Sequence, residues 1–393
     1  MSGRFDAIAA ATPESRDRYV DFLRAASILA VVLGHWMQAI ITRADGRILI
    51  YGAVGVTSGL WLLTWVLQVM PVFFFVGGFS NYSGLRAVLD GKRTVASFLG
   101  NRVRRLLVPF SVFAIIWAGL MIVLRALGIG PDEWLRGFRL NNIPFGPLWF
   151  LAVYLAVTLA SPWTARLHRR LGAAVPLALA ATIVAVDLLA FGAGLAGVRW
   201  LNVAAMWLLT HQLGYFYADG SLVRVSRRML WTVTLGALAA MVVLTSIGVY
   251  PRSMVGTDAV FFSLKPIERI SNMNPPTVVI LAHSTWLIAA VLLLRERLTR
   301  WLAQTVQWGV TVLINQSIMT VFLWHMTAYL VVILLAWPLG LGRELESTPR
   351  WWLERPFWIV VPAWVLLVLV AAFSRFERES TGAAGASRLA NSG

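Results

Sequence analysis

The sequence predicts an all-α, polytopic integral membrane protein with about ten transmembrane helices. The first observation is composition, because 59% of the 393 residues are hydrophobic and only 13% are charged, whereas a soluble domain has about 25% charged residues. The second is the recurrence of apolar segments of about 20 residues, the length at which a helix crosses a bilayer. One polytopic membrane domain therefore accounts for the length better than several soluble domains do.

The predicted spans are separated by short polar segments. They cover residues 19–42, 60–82, 106–124, 147–165, 172–194, 200–218, 230–250, 276–294, 311–337 and 356–374. Two segments, 83–105 and 251–275, are too polar to cross the membrane. We expect residues 94–106 to form a basic amphipathic helix on the cytoplasmic surface, and residues 251–275 to form the longest outer loop.

The positions of the basic residues predict the orientation. With a cytoplasmic N-terminus, the cytoplasmic segments carry 21 of the 34 Lys and Arg residues, the outer loops carry 12, and one lies inside a span. This bias has the sign that the positive-inside rule requires. It predicts a multi-pass plasma membrane protein with both termini in the cytoplasm. Because the rule also accounts for the net charge of +16, we expect no nucleic-acid partner.

Three regions follow along the chain. Residues 1–18 lack the long apolar core of a cleavable signal peptide, so we expect a cytoplasmic segment before an uncleaved first helix. Residues 19–375 form the membrane domain. Residues 376–393 are rich in Ser, Gly and Ala and predict a flexible cytoplasmic tail.

The first span, YVDFLRAASILAVVLGHW, carries Asp21, Arg24 and His35. An ionisable side chain at bilayer depth costs a few kcal/mol, so such residues usually have a function. Arg24 and His35 are eleven positions apart, which places them on one helix face with roughly 16 Å between them. Asp21 precedes Arg24 by three positions and can contact it. These three residues are the first candidates for a catalytic site.

The chemistry of these side chains suits transfer to an alcohol. A neutral imidazole can accept a proton from a hydroxyl group near neutral pH. Arg24 stays charged at any relevant pH and needs an anion, either Asp21 or a phosphate or carboxylate of a substrate. The alternative is that the Arg24 side chain extends to the cytoplasmic lipid headgroups. That alternative would not explain why Arg24 and His35 lie on the same helix face.

Further candidates lie elsewhere in the chain. Arg102 and Arg105 lie in NRVRRLLVP. They are either a cluster that follows the positive-inside rule or a phosphate-binding site, because one guanidinium group can donate to two phosphate oxygens at once. His325, His211 and Asp187 lie inside predicted spans, where each is either a site residue or the partner of another polar group.

Several classes of site are excluded. The chain has no cysteine, so it has no disulfide, thiolate metal site or cysteine nucleophile. It also contains no Gly-x-Ser-x-Gly elbow, Walker A loop or His-Glu-x-x-His spacing. We therefore expect no metal site and no tightly bound cofactor.

The ordered set of motifs resembles the acyltransferase type 3 family. The first span is similar to that family's Asp-x-x-Arg and Arg-x10-His signature. MPVFFFVGGFSNY, FLGNRVRRLLVPF and PLWFLAVYL resemble its following blocks, and FLWHM contains a histidine often found near the family's end. The likeness covers nearly the whole chain.

This resemblance implies an O-acyltransferase domain over residues 19–375. It would transfer an acyl group from cytoplasmic acyl-CoA, as donor substrate, to a hydroxyl of a carbohydrate, envelope glycan, lipid or secondary metabolite. It implies that Arg24 and His35 are one functional pair and Arg102 and Arg105 a second, and we expect the second pair to bind CoA phosphates. Some members carry an appended SGNH-type domain. The chain ends at Gly393, so we expect none here, and either this chain or a separate extracytoplasmic transferase completes the reaction.

Two other classes of protein remain open from the residues alone. A proton-coupled transporter or flippase would also suit ten spans with intramembrane Arg, His and Asp. A membrane scaffold would leave His35 and Arg24 unexplained. Because an acyl-CoA enzyme needs a phosphate clamp near the His35 helix, proximity of Arg102 and Arg105 to Arg24 would favour the enzyme.

Overall fold

Helices make up nearly all of the regular structure in the computed structural model, which describes residues 5, 12–13, 16–44, 47–55, 57–127, 144–255, 271–344 and 347–390. A two-stranded antiparallel hairpin, β1 (Ala39–Ala44) and β2 (Arg47–Gly52), follows the first helix. The α-helices among the described residues are α1 (Arg18–Met37), α2 (Trp61–Leu67), α3 (Met70–Leu89), α4 (Val95–Ala126), α5 (Leu148–Leu171), α6 (Ala174–Asp187), α7 (Leu201–Ala218), α8 (Arg227–Ser246), α9 (Val278–Trp301), α10 (Thr305–Asn315), α11 (Ile318–Ala336) and α12 (Pro349–Ala390).

The prediction of a polytopic all-α membrane protein is confirmed. Nine helical segments of the described chain are long and apolar enough to cross a membrane, with α2 and α3 counted as one segment. The sixth predicted span corresponds to α7, which is not among the nine. Its buried positions include Asn202, His211 and Gln212, and these polar side chains lower its hydropathy. Helix α7 packs against α3 and α6 inside the bundle.

The end of the first span differs from the prediction. Helix α1 ends at Met37, whereas the sequence predicts helix to residue 42. Strand β1 follows at once and pairs with β2, with Ala39 opposite Gly52 and Ala44 opposite Arg47. The β-branched run at 40–42 favours an extended backbone. The predicted end was wrong because hydrophobicity alone does not distinguish a helix from a short strand.

The basic segment before the third span is part of that span's helix. The side chain of Thr94 accepts a hydrogen bond from Ser97 N at 3.2 Å and caps α4. Helix α4 then runs for 32 residues, about 48 Å, which exceeds the ~30 Å hydrocarbon core. The prediction of a separate surface helix over 94–106 is therefore wrong. Pro109 lies inside this helix without ending it, and no turn sequence separates the basic residues from the apolar ones, so the helix continues.

Two predicted spans are each broken into two helices. The second span divides between α2 and α3 at residues 68–69, and the ninth divides between α10 and α11 at residues 316–317. Backbone groups released at membrane depth must find partners within the protein. At the first break, His283 Nε2 donates to Trp65 O at 2.7 Å. His283 therefore has a structural role.

The second break is closed by a side chain of α12. The Glu377 carboxylate accepts hydrogen bonds from Met319 N at 3.0 Å and Thr320 N at 2.9 Å. These amides belong to the first turn of α11, whose N–H groups have no partner within the helix. Helix α12 carries Glu377 past the last predicted span and continues to Ala390. Residues 376–390 of the predicted tail 376–393 belong to this helix, and residues 391–393 lie outside the described residues.

The predicted outer loop at 251–275 is described only at its two ends. Asn272 Nδ2 donates to Pro251 O at 2.6 Å and to Ser253 O at 2.8 Å, so the two ends are tied together. Residues 256–270 lie outside the described residues.

Two glycines allow α3 and α7 to cross at close distance. A Cβ atom added at Gly78 would lie 1.9 Å from His211 O, and one added at Gly214 would lie 2.1 Å from Phe75 O. Small residues permit this kind of approach between membrane helices. The crossing places the polar residues that follow Gly78 on α3 beside His211.

Candidate functional site

A cavity of about 560 Å³ lies on the side of the bundle that carries the hairpin. We name it the hairpin-side cavity, and we name the opposite side, where α1 begins and α3 and α5 end, the basic side. One face of the second half of α1, from Ala30 to Met37, contributes to its wall together with Gln38, and His35 is on this face. Most of the wall is apolar and aromatic. The polar side chains among its lining residues are His35, Gln38, Thr64, Gln68 and Asn274.

His35 meets a second histidine beside this cavity. His35 Nδ1 lies 3.3 Å from His325 Nε2, and the ring centroids are 5.1 Å apart. His325 is fully buried, whereas His35 is partly buried. The backbone oxygen of His325 also accepts from Trp36 Nε1 at 3.2 Å, so α1 and α11 are joined at this level. The structure thus brings together two histidines that the sequence proposed separately.

Backbone contacts determine which nitrogen of each ring carries the proton. His35 Nδ1 lies 2.8 Å from Val31 O, and His325 Nδ1 lies 2.7 Å from Phe322 O. A carbonyl oxygen only accepts, so each Nδ1 is the donor and each Nε2 carries a lone pair. The single Nδ1–H of His35 is therefore shared between Val31 O at 2.8 Å and the Nε2 lone pair of His325 at 3.3 Å. The basic nitrogen of His35 is Nε2.

Arg24 lies nearer the basic side of α1, in an ionic and polar cluster. Arg24 Nη1 donates to Asp21 Oδ1 at 3.0 Å, and Arg24 Nη2 donates to Ser80 Oγ at 2.5 Å. The other oxygen of Asp21 accepts from Arg16 Nε at 2.5 Å. Asp21 therefore positions Arg24, as their spacing predicted. It lies 14 positions before His35 on the same helix.

Arg102 reaches the same serine from α4. Its Nη2 donates to Ser80 O at 2.6 Å, and its guanidinium lies over the Phe98 ring at 5.5 Å from the centroid. Arg24 and Arg102 therefore converge on Ser80, and we name these three residues the Ser80 cluster. Sequence reasoning missed Ser80, although the polar pair Ser-Asn within an otherwise apolar span was a usable signal.

Arg105 takes a different position. It lies close enough to Glu377 for their charges to interact, and Glu377 caps the break before α11. The sequence grouped Arg105 with Arg102 in one clamp. In the structure Arg102 contacts Ser80 of α3, whereas Arg105 interacts with Glu377 of α12.

Helix α1 connects the Ser80 cluster, through Arg24, with the hairpin-side cavity. The cavity wall begins at Ala30 of α1, six residues after Arg24, which corresponds to about 9 Å. Aromatic rings fill the core at this depth. The Phe150 ring contacts Phe73, Phe74 and Phe322 edge to face, with centroids 5.0, 5.5 and 5.3 Å apart.

His211 belongs to the side of the Ser80 cluster. Asn81 Nδ2 donates to His211 Nε2 at 3.1 Å, and Asn81 follows Ser80 directly on α3. Both side chains are buried, and Arg102 is near enough to influence His211 electrostatically. His211 is not among the residues that line the hairpin-side cavity.

Asp187 connects three elements. Its carboxylate accepts from Asn202 Nδ2 at 2.9 Å, Tyr250 Oη at 3.1 Å and Val278 N at 2.8 Å. Val278 is the first residue of α9, so Asp187 stabilises the N-terminus of that helix. These three hydrogen bonds give Asp187 a structural role. The sequence had left open whether it was a site residue or the partner of another polar group.

His168 has a partner that the sequence did not indicate. Its Nε2 donates to Asp219 Oδ2 at 2.9 Å, and its Nδ1 accepts from Gln212 Nε2 at 3.0 Å. Burial tends to raise the pKa of Asp219, but hydrogen bonds from Ser221 and His168 outweigh burial and hold that pKa below its usual value. The contacts join the ends of α5 and α7 on the basic side.

Comparison with known families finds a match over most of the sequence. The sequence model of the acyltransferase domain family matches residues 17–374, which is nearly the whole chain. No curated protein and no solved structure matches the chain significantly. The matched region includes α1 with Arg24 and His35, and it also includes the Ser80 cluster and His325. The chain therefore belongs to this family and is a multi-pass membrane acyltransferase.

Proposed function

We propose that the enzyme transfers an acetyl or another short acyl group from acyl-CoA to a hydroxyl group. The acceptor would be a carbohydrate, envelope glycan, lipid or secondary metabolite. The observation that supports this proposal is the meeting of Arg24 and Arg102 at Ser80. Arg24 belongs to α1, the helix that also carries His35 to the hairpin-side cavity. A transporter has no need of a second arginine from α4 beside Arg24 of the His35 helix, so this proximity favours the enzyme.

The Ser80 cluster is the proposed donor site. Two guanidinium groups that face one point can bind phosphate oxygens with charge-assisted hydrogen bonds. CoA carries its phosphates at one end and its thioester at the other. With the phosphates at Arg24 and Arg102, the pantetheine arm would extend along α1 toward His35, a distance of roughly 16 Å on the helix.

His35 is the proposed general base. The acceptor oxygen bonds to the thioester carbonyl carbon while its proton moves to His35 Nε2. The carbon–sulfur bond then breaks, and the proton passes from His35 to the departing sulfur, which leaves an ester and CoA thiol. His325 Nε2 accepts from the Nδ1–H of His35 and stabilises the imidazolium. Base catalysis of this kind contributes about 10²–10⁴-fold to a rate.

The membrane orientation follows from the same proposal. By the positive-inside rule the basic side would lie in the cytoplasm, where acyl-CoA is made. The hairpin-side cavity would then face the opposite leaflet or compartment of the plasma membrane and receive the acceptor. Either this chain or a separate transferase outside the membrane would complete delivery of the acyl group.

Membranes that contain the wild-type protein or His35→Ala test the proposal. They are incubated with radiolabelled acetyl-CoA and with extracted envelope glycans and lipids, and label on the acceptor is counted. We expect the variant to lose about 10²–10⁴-fold in rate while it still binds acetyl-CoA. Equal labelling by both proteins would refute the role of His35. A wild-type protein that does not bind acetyl-CoA would refute the donor.

A further inference from the structure

A second cavity, of about 340 Å³, opens on the basic side of the bundle. One water needs only about 10–15 Å³ on the same measure, so the cavity admits a much larger group. Two aliphatic side chains at the end of α3 and three arginines at the end of α5 line it: Val88, Leu89, Arg166, Arg169 and Arg170.

The charge of this cavity is strongly positive. Arg166 and Arg170 are four positions apart on α5, so their side chains are neighbours on one face. Within the described part of the chain, neither makes a hydrogen bond or ion pair. Arg169 Nη2 lies 3.4 Å from Asp90 Oδ1, and both side chains are 48% exposed. One carboxylate thus faces three guanidinium groups, which leaves two positive charges unbalanced at the cavity.

The position of the cavity relates it to the Ser80 cluster. The Arg102 guanidinium lies beside Gly84 of α3, because a Cβ atom there would be 3.3 Å from Arg102 Nη2. Val88 is one helical turn beyond Gly84 on the same face, about 6 Å along the axis. The basic surface therefore continues from Ser80 along α3 to the cavity. The hydrogen bond between His168 and Asp219 fixes the end of α5 against the end of α7.

We propose that this cavity binds the 3′-phosphate of CoA, a proposal that rests on acyl-CoA being the donor. CoA carries a diphosphate and, separately, a phosphate on its ribose. The Ser80 cluster would hold the diphosphate. Arg166 and Arg170 would bind the ribose phosphate, and Val88 and Leu89 would contact the sugar. Basic residues that only set membrane orientation have no need to enclose a cavity with an aliphatic wall.

Removal of one phosphate from the ligand tests the proposal without any acceptor. The full chain is placed in nanodiscs of neutral phosphatidylcholine, and Kd is measured for acetyl-CoA and for acetyl-dephospho-CoA, which lacks only the 3′-phosphate. We expect the wild-type protein to bind acetyl-CoA at least tenfold more tightly. In Arg166→Gln/Arg170→Gln this ratio should fall to about one, with Kd for acetyl-dephospho-CoA unchanged, which also shows that the variant is folded.

Arg228→Gln is the matched control, because Arg228 is exposed at the start of α8 and should leave the ratio intact. A ratio near one in the wild-type protein, or a ratio retained in the double variant, would overturn the assignment. Binding of spin-labelled phosphatidylglycerol that the double variant loses, with the CoA ratio retained, would assign the cavity to a lipid headgroup instead. If the wild-type protein binds neither CoA ligand, the donor proposal fails together with this one.

Discussion

His35 and His325 lie 290 positions apart in the chain, yet His35 Nδ1 and His325 Nε2 are separated by 3.3 Å. Each ring also donates from Nδ1 to a carbonyl of its own helix. The neutral Nε2 of His325 therefore faces the donor nitrogen of His35. When His35 takes up a proton, this contact becomes a charge-assisted hydrogen bond, which is stronger than the neutral one.

The first prediction concerns His325. His325→Ala should lower kcat by about fivefold to tenfold, because a lost hydrogen bond costs about 1 kcal/mol. His325→Gln should stay within about threefold of wild type in kcat, since its side-chain oxygen can replace Nε2 as acceptor. KM for acyl-CoA should not change, because His325 is distant from the Ser80 cluster. Steady-state kinetics of the two variants measure this. Equal losses of kcat in both would indicate that His325 only fills space.

The second prediction concerns Arg102. Arg102→Lys should raise the Kd of acetyl-CoA by about tenfold or more, because lysine keeps the charge but loses the planar fork that pairs with phosphate. Titration calorimetry of the purified protein measures it. Arg104→Lys is the control, since Arg104 lies two positions away on α4 and is exposed. A similar weakening by both variants would mean that general charge, and not the Ser80 cluster, binds the donor.

The third prediction concerns the crossing of α3 and α7. Gly78→Ala should destabilise the protein by about 3 kcal/mol, at the upper end of typical overpacking costs, because the new Cβ would meet a backbone oxygen at 1.9 Å. Gly100→Ala on α4 has nothing within 4 Å of its Cβ and should be neutral or slightly stabilising. Thermal unfolding in one detergent compares them. Equal unfolding temperatures for the two variants would contradict the close approach.

The fourth prediction separates structure from catalysis at Asp187. Asp187→Ala leaves Val278 N, Asn202 and Tyr250 without this acceptor, and each buried unsatisfied group costs about 1–3 kcal/mol. We expect a loss of about 3 kcal/mol in stability and no change in kcat per folded molecule. Glu296→Ala, at an exposed position of α9, should change stability by less than about 0.5 kcal/mol. A lower kcat with unchanged stability would return Asp187 to the catalytic site.

Much of the fold could be predicted because bilayer insertion depends on hydropathy summed over about 20 residues. The same summation explains the errors. It extended the first span to residue 42, where the β-branched run at 40–42 begins the hairpin. It also could not detect the breaks at 68–69 and 316–317, because His283 and Glu377 satisfy the released backbone groups from distant helices.

The sequence by itself determined the class of the protein, its family and the register of Arg24 with His35, since spacing within one helix follows from helix geometry. Only the tertiary structure decided that Arg102 joins Arg24 at Ser80, that Arg105 turns toward Glu377, and that His325 faces His35. Such contacts depend on how each helix is rotated and packed against its neighbours. Hydropathy carries no information about that rotation, because it averages over all faces of a helix.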